Sequence, residues 1–212
     1  MPVQAKICGV NSAAAIDAAV AGGATFVGFM FVQKSPRFVA TPDAAKLAGR
    51  AESVQRVGVF VDPTDPQLER VLAQVPIEVI QLHGAETPQR VETIRTRTGR
   101  PVMKAISIGD AADVTAAKAY EGVADWLLFD AKPPTSGSLP GGNATSFDWK
   151  LLTGTKWRKP WMLSGGLTAA NVAQAVKASG AAAVDVSSGV EDKPGHKSPE
   201  RIAEFLKIVR AL

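Results

Sequence analysis

One grammar repeats along the chain: a short run of apolar, often β-branched residues, then a polar or glycine turn, then an alanine-rich stretch with apolar positions at helical spacing. Eight such units predict strands over 3–8, 25–31, 56–61, 79–83, 102–106, 126–130, 161–163 and 183–186. The helical stretches between them fall over 12–21, 42–51, 66–74, 87–98, 111–120, 147–153, 169–179 and 199–211. Capping chemistry marks several helix starts, at Asn11-Ser12, Thr41-Pro42, Asp65-Pro66, Thr87-Pro88 and Ser198-Pro199. Glycines at 22–23, 49, 99 and 180 mark the stops. Strict alternation of strand and helix implies parallel strands joined by right-handed crossovers. Eight units favour a closed (β/α)₈ TIM barrel over an open doubly wound sheet, whose first turn would carry a glycine fingerprint that Cys8-Gly9-Val10-Asn11-Ser12 lacks. No composition shift breaks the chain at its middle, so residues 1–212 are expected to form one barrel domain. The longest non-periodic segment, 131–146, reads as a functional lid.

Composition narrows the class. With 46% apolar residues, 212 residues can bury a substantial core. One cysteine forbids an internal disulfide and suits a reducing compartment, and two histidines are too few for a histidine-rich metal site. No apolar run approaches the roughly 18 residues of a membrane helix, and the first residues lack the pattern of a secretory leader, so a cytoplasmic protein is expected. The net charge of +4 is scattered rather than gathered in blocks with aromatics between them. That argues against nucleic acid and for a small anionic ligand.

In such a barrel, chemistry gathers at the carboxyl ends of the strands. Those ends carry Cys8, Arg37 in the loop after the second strand, Asp62, Gln81 with His83, Asp130, Ser164-Gly165-Gly166, and Asp185 with Ser187-Ser188-Gly189. Strand alternation turns Lys6 and Cys8 to one face and Ile7 to the other, and Gly9 lets the backbone turn away behind the thiol. A lone thiol more often fills space than reacts, and its weight here comes from what converges on it. Cys8 serves as a base only when deprotonated, which Lys6 would assist. Asp130 lies on the face opposite Phe129, where an enclosed carboxyl can stay protonated and act as an acid. Gly165-Gly166 and Ser187-Ser188-Gly189 follow the last two strands, where backbone amides and hydroxyls can cradle a phosphate.

Lys6-Ile7-Cys8-Gly9-Val10, Gly28-Phe29-Met30-Phe31 with Ser35-Pro36-Arg37-Phe38-Val39, Gly58-Val59-Phe60-Val61, Gln81-Leu82-His83-Gly84, Phe147-Asp148-Trp149, Leu163-Ser164-Gly165-Gly166-Leu167-Thr168 and Val184-Asp185-Val186-Ser187-Ser188-Gly189-Val190-Glu191 together resemble the phosphoribosylanthranilate isomerase family, nearly end to end. The resemblance implies an Amadori rearrangement in tryptophan biosynthesis, without metal or organic cofactor. Asp130 would then be the general acid and Cys8 the general base. Arg37 would take the anthranilate carboxylate, for which a guanidinium fork is well shaped. His83 and Asp185 would be substrate-binding, and Gly165, Gly166, Ser187, Ser188 and Gly189 would hold the phosphate. The implied partner is a small phosphosugar, with neither nucleic acid nor membrane, on a monomer or homodimer.

One departure stands out: Gly141-Gly142-Asn143-Ala144 occupies the place of the family's Gly-Gly-Thr/Ser-Gly run. Its expected effect is on the loop's conformation rather than on reaction type. Two other readings remain open. Another phosphosugar barrel enzyme would use a lysine with glutamates, or metal-binding histidines, and neither set is evident. A non-catalytic phospholigand-binding barrel would keep the phosphate loops without needing Cys8 to face Asp130.

Overall fold

The computed structural model describes residues 2–132 and 146–212. Most of the expected lid, with the Gly141–Ala144 run, therefore lies outside the described residues. The chain closes an eight-stranded parallel barrel in the order in which its strands appear. Strands β1 (Gln4–Cys8), β2 (Phe26–Met30), β3 (Gln55–Phe60) and β4 (Val79–Leu82) make the first half. The second half is β5 (Val102–Ile108), β6 (Trp126–Ala131), β7 (Trp161–Leu163) and β8 (Ala183–Val186), and β8 pairs back onto β1. Helices α1 (Ala13–Ala21), α2 (Thr41–Ala48), α3 (Asp65–Leu72), α4 (Pro88–Thr98), α5 (Ala111–Ala117), α6 (Val172–Ser179) and α7 (Pro199–Val209) surround it.

Alternation along the strands separates two apolar sets. Ile7, Val27, Phe29, Ile80, Leu82, Phe129, Leu163 and Val184 face the helices, while Phe26, Val57, Val59, Val79, Met103, Leu128, Met162 and Ala183 fill the barrel with Cys8. Inward positions become polar toward the carboxyl ends, where Lys6, Gln81, Asp130, Ser164 and Asp185 are all buried.

Several expectations shift. A helix over 147–153 was expected between β6 and β7, but the chain makes one 3₁₀ turn at Trp149–Leu152. Asp148 caps the turn at Lys150 N, and Gly154, at φ +78°, ends it. Helix α6 starts at Val172 rather than 169, because Asn171 accepts from Thr168 N and donates to the Gly166 carbonyl, so these residues hold the preceding loop instead. Thr41 and Asp65 lie inside their helices rather than capping them: Ala40 precedes α2, and Thr64 Oγ1 caps α3 at Gln67 N. Strand β5 runs two residues past its expected end and pairs Ser107 with Asp130. A further antiparallel pair, β9 (Glu191–Lys193) and β10 (His196–Lys197), stands outside the barrel sheet and had no counterpart in the predicted elements.

Phe129 ties the β6–β7 side to the core. Fully buried, it packs against Trp157 and Trp161 at centroid distances of 4.7 and 5.5 Å. Phe129→Ala is expected to lower unfolding stability by about 3–5 kcal/mol in urea titration, and a loss under about 1 kcal/mol would show that the aromatic cluster is dispensable.

Candidate active site

The geometry begins where β1 meets β8. Lys6 and Asp185 are direct neighbours in register, and Lys6 Nζ lies 2.8 Å from Asp185 Oδ1, with both side chains buried. The other carboxylate oxygen of Asp185 accepts from Ser164 Oγ at 3.1 Å. Both oxygens of this expected substrate-binding residue are thus engaged within the protein. Burial pulls the Lys6 ammonium down, but Asp185 and Cys8 outweigh it and hold the group above its usual range.

Cys8 follows two residues on, on the same inward face, where the Lys6 charge acts on its thiol. Burial pushes its thiol up; Lys6 works against that and Asp185 with it, leaving the thiol above its ordinary value. The sequence suggests that Lys6 would assist ionisation, and it does, but its charge is shared with Asp185 and does not overcome desolvation. Gly28, paired with Cys8, makes room for both: a Cβ there would stand 3.1 Å from Cys8 Sγ and 3.4 Å from Lys6 Cε.

Across the barrel, His83 Nε2 lies 3.1 Å from Asp130 Oδ2 and His83 Nδ1 lies 2.8 Å from Gln81 Nε2. The histidine, expected as a substrate contact, is thus placed between Gln81 and the aspartate. Asp130 Oδ1 also accepts from Ala131 N at 2.9 Å. Gly165, at φ +93°, sits close enough that a Cβ would be 2.7 Å from Ala131 N and 3.2 Å from Asp130 Oδ1. The loop after β7 therefore touches the expected acid directly.

The loop holding His83 is clamped from below. Glu86 accepts from Asp62 N at 2.8 Å, from Gly84 N at 3.0 Å and from Lys104 Nζ at 2.8 Å. Lys104 Nζ also donates to the Gly84 carbonyl at 2.7 Å. Gly84 can be nothing larger, since a Cβ would lie 2.6 Å from the Asp62 carboxyl. Asp62 itself adopts φ +44°, a strained conformation held in place by Glu86 and Ala85.

The loops after β7 and β8 are in close contact, because a Cβ on Gly189 would stand 1.9 Å from the Leu167 carbonyl oxygen. Gly166, at φ +62°, and Ser187, whose Oγ donates to the Cys8 carbonyl at 3.2 Å, complete the expected phosphate region with Ser188. Arg37 is brought in by a turn in which Phe38 bridges back to Met30 and Arg37 N donates to Ser35 Oγ. Its stem lies over Gly9, where a Cβ would be 2.8 Å from Arg37 Cδ, so Arg37 stands directly above the residue after Cys8. Its guanidinium is gripped by Glu191, a partner that the sequence reading missed together with Lys197. The signal for that hairpin was Pro194-Gly195, a turn dipeptide between segments too short to show alternation.

Among the described residues, no cluster of three or more histidine, cysteine, aspartate or glutamate side chains is arranged to hold a metal ion. No helix among them is long and apolar enough to cross a membrane.

What this mouth defines is a class: a (β/α)₈ barrel with a thiol and a carboxyl on its inner wall and glycine-rich loops after its last two strands. A family model for N-(5'-phosphoribosyl)anthranilate (PRA) isomerase matches residues 5–208. The chain is 58% identical over 214 residues to N-(5'-phosphoribosyl)anthranilate isomerase of Rhodospirillum centenum, covering 100% of each chain. Phosphoribosyl anthranilate isomerase from Thermotoga maritima shares the fold at a TM-score of 0.88 and 35% identity, with 99% of this chain and 100% of that chain covered. A structure of phosphoribosyl anthranilate isomerase in complex with reduced 1-(o-carboxyphenylamino)-1-deoxyribulose 5-phosphate matches at a TM-score of 0.85 and 33% identity, over 99% and 100% of the two chains. The chain belongs to the N-(5'-phosphoribosyl)anthranilate isomerase family.

Lys104→Met, which leaves Glu86 buried without its cation, is expected to cost about 3–5 kcal/mol in urea unfolding. A cost below about 1 kcal/mol would show that the backbone amides alone hold the Glu86 carboxylate.

Proposed function

We propose that the protein catalyses the Amadori rearrangement of N-(5'-phosphoribosyl)anthranilate to 1-(2-carboxyphenylamino)-1-deoxyribulose 5-phosphate, a step of tryptophan biosynthesis, by general acid and base catalysis. The observation that carries the mechanism is the placement of Cys8 and Asp130 at the carboxyl ends of β1 and β6, both on the inner wall, each with its own partner. Asp130, in its protonated form, gives its proton to the ribose ring oxygen. The anilino nitrogen pushes electrons into C1′ as the C1′–O bond breaks, giving an open-chain iminium. Cys8 as thiolate removes the C2′ proton, and the electron pair of that C–H bond moves to C1′–C2′ and neutralises the iminium. The resulting enolamine tautomerises to the ketone.

The partners suit these roles. Gln81 Nε2 donates to His83 Nδ1, so His83 Nε2 carries the proton and donates to Asp130 Oδ2 at 3.1 Å, which supports the carboxylate form of Asp130. Ala131 N favours the carboxylate that remains after proton transfer. Lys6 stabilises the thiolate as it forms. The substrate's phosphate is assigned to Gly165, Gly166, Ser187, Ser188 and Gly189, and its aromatic carboxylate to Arg37. Asp185 contributes through Lys6 and Ser164, on the inner wall of the barrel.

Freshly prepared phosphoribosylanthranilate, followed by loss of its fluorescence, tests the activity directly. Cys8→Ser and Asp130→Asn are each expected to lower turnover by at least about a hundredfold while the reduced product analogue still binds. Wild-type protein that binds this analogue but does not turn over would favour a phospholigand-binding barrel instead.

The pH dependence has a defined sign. The base must be unprotonated, and the thiol is shifted upward, so the thiolate fraction grows with pH up to that raised value. From about pH 7 to 9, inactivation by iodoacetamide, which reads the thiolate alone, is expected to climb toward about tenfold per pH unit. A flat inactivation profile over that range would overturn the upward shift of the thiol.

A further inference from the structure

The barrel interior around Gln81 is apolar. Its register partners are Val59 on β3 and Met103 on β5, and Val79 stands two residues before it on the same face. Gln81 is nonetheless a carboxamide, and it is fully buried. Its Nε2 lies 2.8 Å from His83 Nδ1, while its Oε1, also buried, meets no hydrogen-bond partner among the described residues. A buried carbonyl left unpaired costs stability, and a methionine of nearly the same volume would fill the space without that cost. Packing therefore gives no reason for an amide here. What sets it apart from an apolar side chain is its one hydrogen bond to His83.

A carboxamide nitrogen only donates, so His83 Nδ1 can only accept across this contact. The amide hydrogen occupies the lone pair that a second ring proton would need. An imidazolium would set two N–H groups against each other over 2.8 Å. His83 thus meets Asp130 as a neutral donor, through Nε2 at 3.1 Å, rather than as a cation. A full positive charge at that distance holds a carboxyl ionised, whereas a neutral donor leaves it able to take a proton back. The other charged groups packed about this loop are Glu86 and Lys104, paired at 2.8 Å, and Asp62, whose Oδ1 accepts from Ala85 N. Gln81 and Asp130 are the groups that bond the two ring nitrogens, and they set the ring's charge state.

We infer that Gln81 is a positioning residue for the acid step: by donating to Nδ1 it keeps His83 neutral, so Asp130 is oriented without being locked into an ion pair and can be reprotonated between turnovers. This rests on the assignment of Asp130 as the general acid. It accounts for a polar side chain that the packing of the interior does not call for. The amide is kept at the expense of stability, for what it does to the ring two residues on.

The test reads the ring nitrogens of His83 by ¹⁵N NMR, assigned by comparison with His196→Gln, since the chain has two histidines. In wild type, Nδ1 is expected to stay unprotonated and Nε2 protonated from about pH 6 to 8. A proton on Nδ1 in that range would mean that the amide presents its oxygen instead, and would overturn the inference. Gln81→Met is expected to let Nδ1 take up a proton within the range and to lower kcat by about tenfold or more. Its affinity for reduced 1-(o-carboxyphenylamino)-1-deoxyribulose 5-phosphate should stay within about twofold of wild type, and its urea midpoint should be equal or higher. Gln81→Glu, which replaces the donor with an acceptor, gives the same two readouts should Gln81→Met fail to fold. Wild-type kcat in these variants, or a fall in kcat with Nδ1 still unprotonated, would mark a merely structural role and overturn the inference. Retained turnover in Asp130→Asn would instead remove the acid assignment itself, whatever the state of the ring.

Discussion

A lysine ammonium and an aspartate carboxylate, 2.8 Å apart in the seam that closes the barrel, constrain most of what surrounds them. Lys6 and Asp185 are register partners on β1 and β8. Slipping one strand by a single residue would turn one of them out among the helices and leave the other charged and alone in the barrel interior. Removing a partner from a buried ion pair costs about 3–5 kcal/mol, so the pair strongly disfavours such a slip whatever it adds to net stability. The same pair sets the electrostatics of the thiol two residues away, and Asp185 anchors Ser164 at the start of the loop after β7.

The opposite wall is built on another principle. Asp130 is held by neutral or dipolar groups, namely His83, which leans on Gln81, and the Ala131 amide. The buried charges on that side, Glu86 and Lys104, are paired with each other under the loop that carries His83. One wall thus places full charges beside the thiol proposed as base, and the other places uncharged hydrogen-bond donors beside the carboxyl proposed as acid. This division lets two ionisable side chains stand at one end of the barrel without the same environment acting on both.

The sequence made the barrel legible because hydrophobic period and turn chemistry agree in nearly every unit: Ser12, Thr87 and Ser198 do cap helices, and each strand keeps its alternation. Where local rules misled, tertiary demands had taken over. Asn171 holds a loop rather than extending a helix, and the stretch near Trp149 supports a single turn. Cys8, Arg37, His83 and Asp130 were identifiable from strand ends and motif, but their partners were not. That Glu191 grips Arg37 across 154 positions, or that His83 meets Asp130 across 47, follows from closure of the sheet, and no local pattern encodes it. A buried lysine such as Lys197 is invisible for a related reason: in a linear reading it belongs to a polar segment, and only the fold shows that it has been desolvated.

The seclusion of Cys8 also bears on how the protein meets oxidants. Peroxides attack thiolates, and a thiol whose ionisation burial opposes offers little of that form. As the chain's single cysteine, it has no second thiol in the chain with which to resolve a sulfenic acid as a disulfide. Once oxidised, recovery would depend on a thiol brought from outside, so the enclosure that opposes ionisation also shields a sulfur this chain cannot repair by itself.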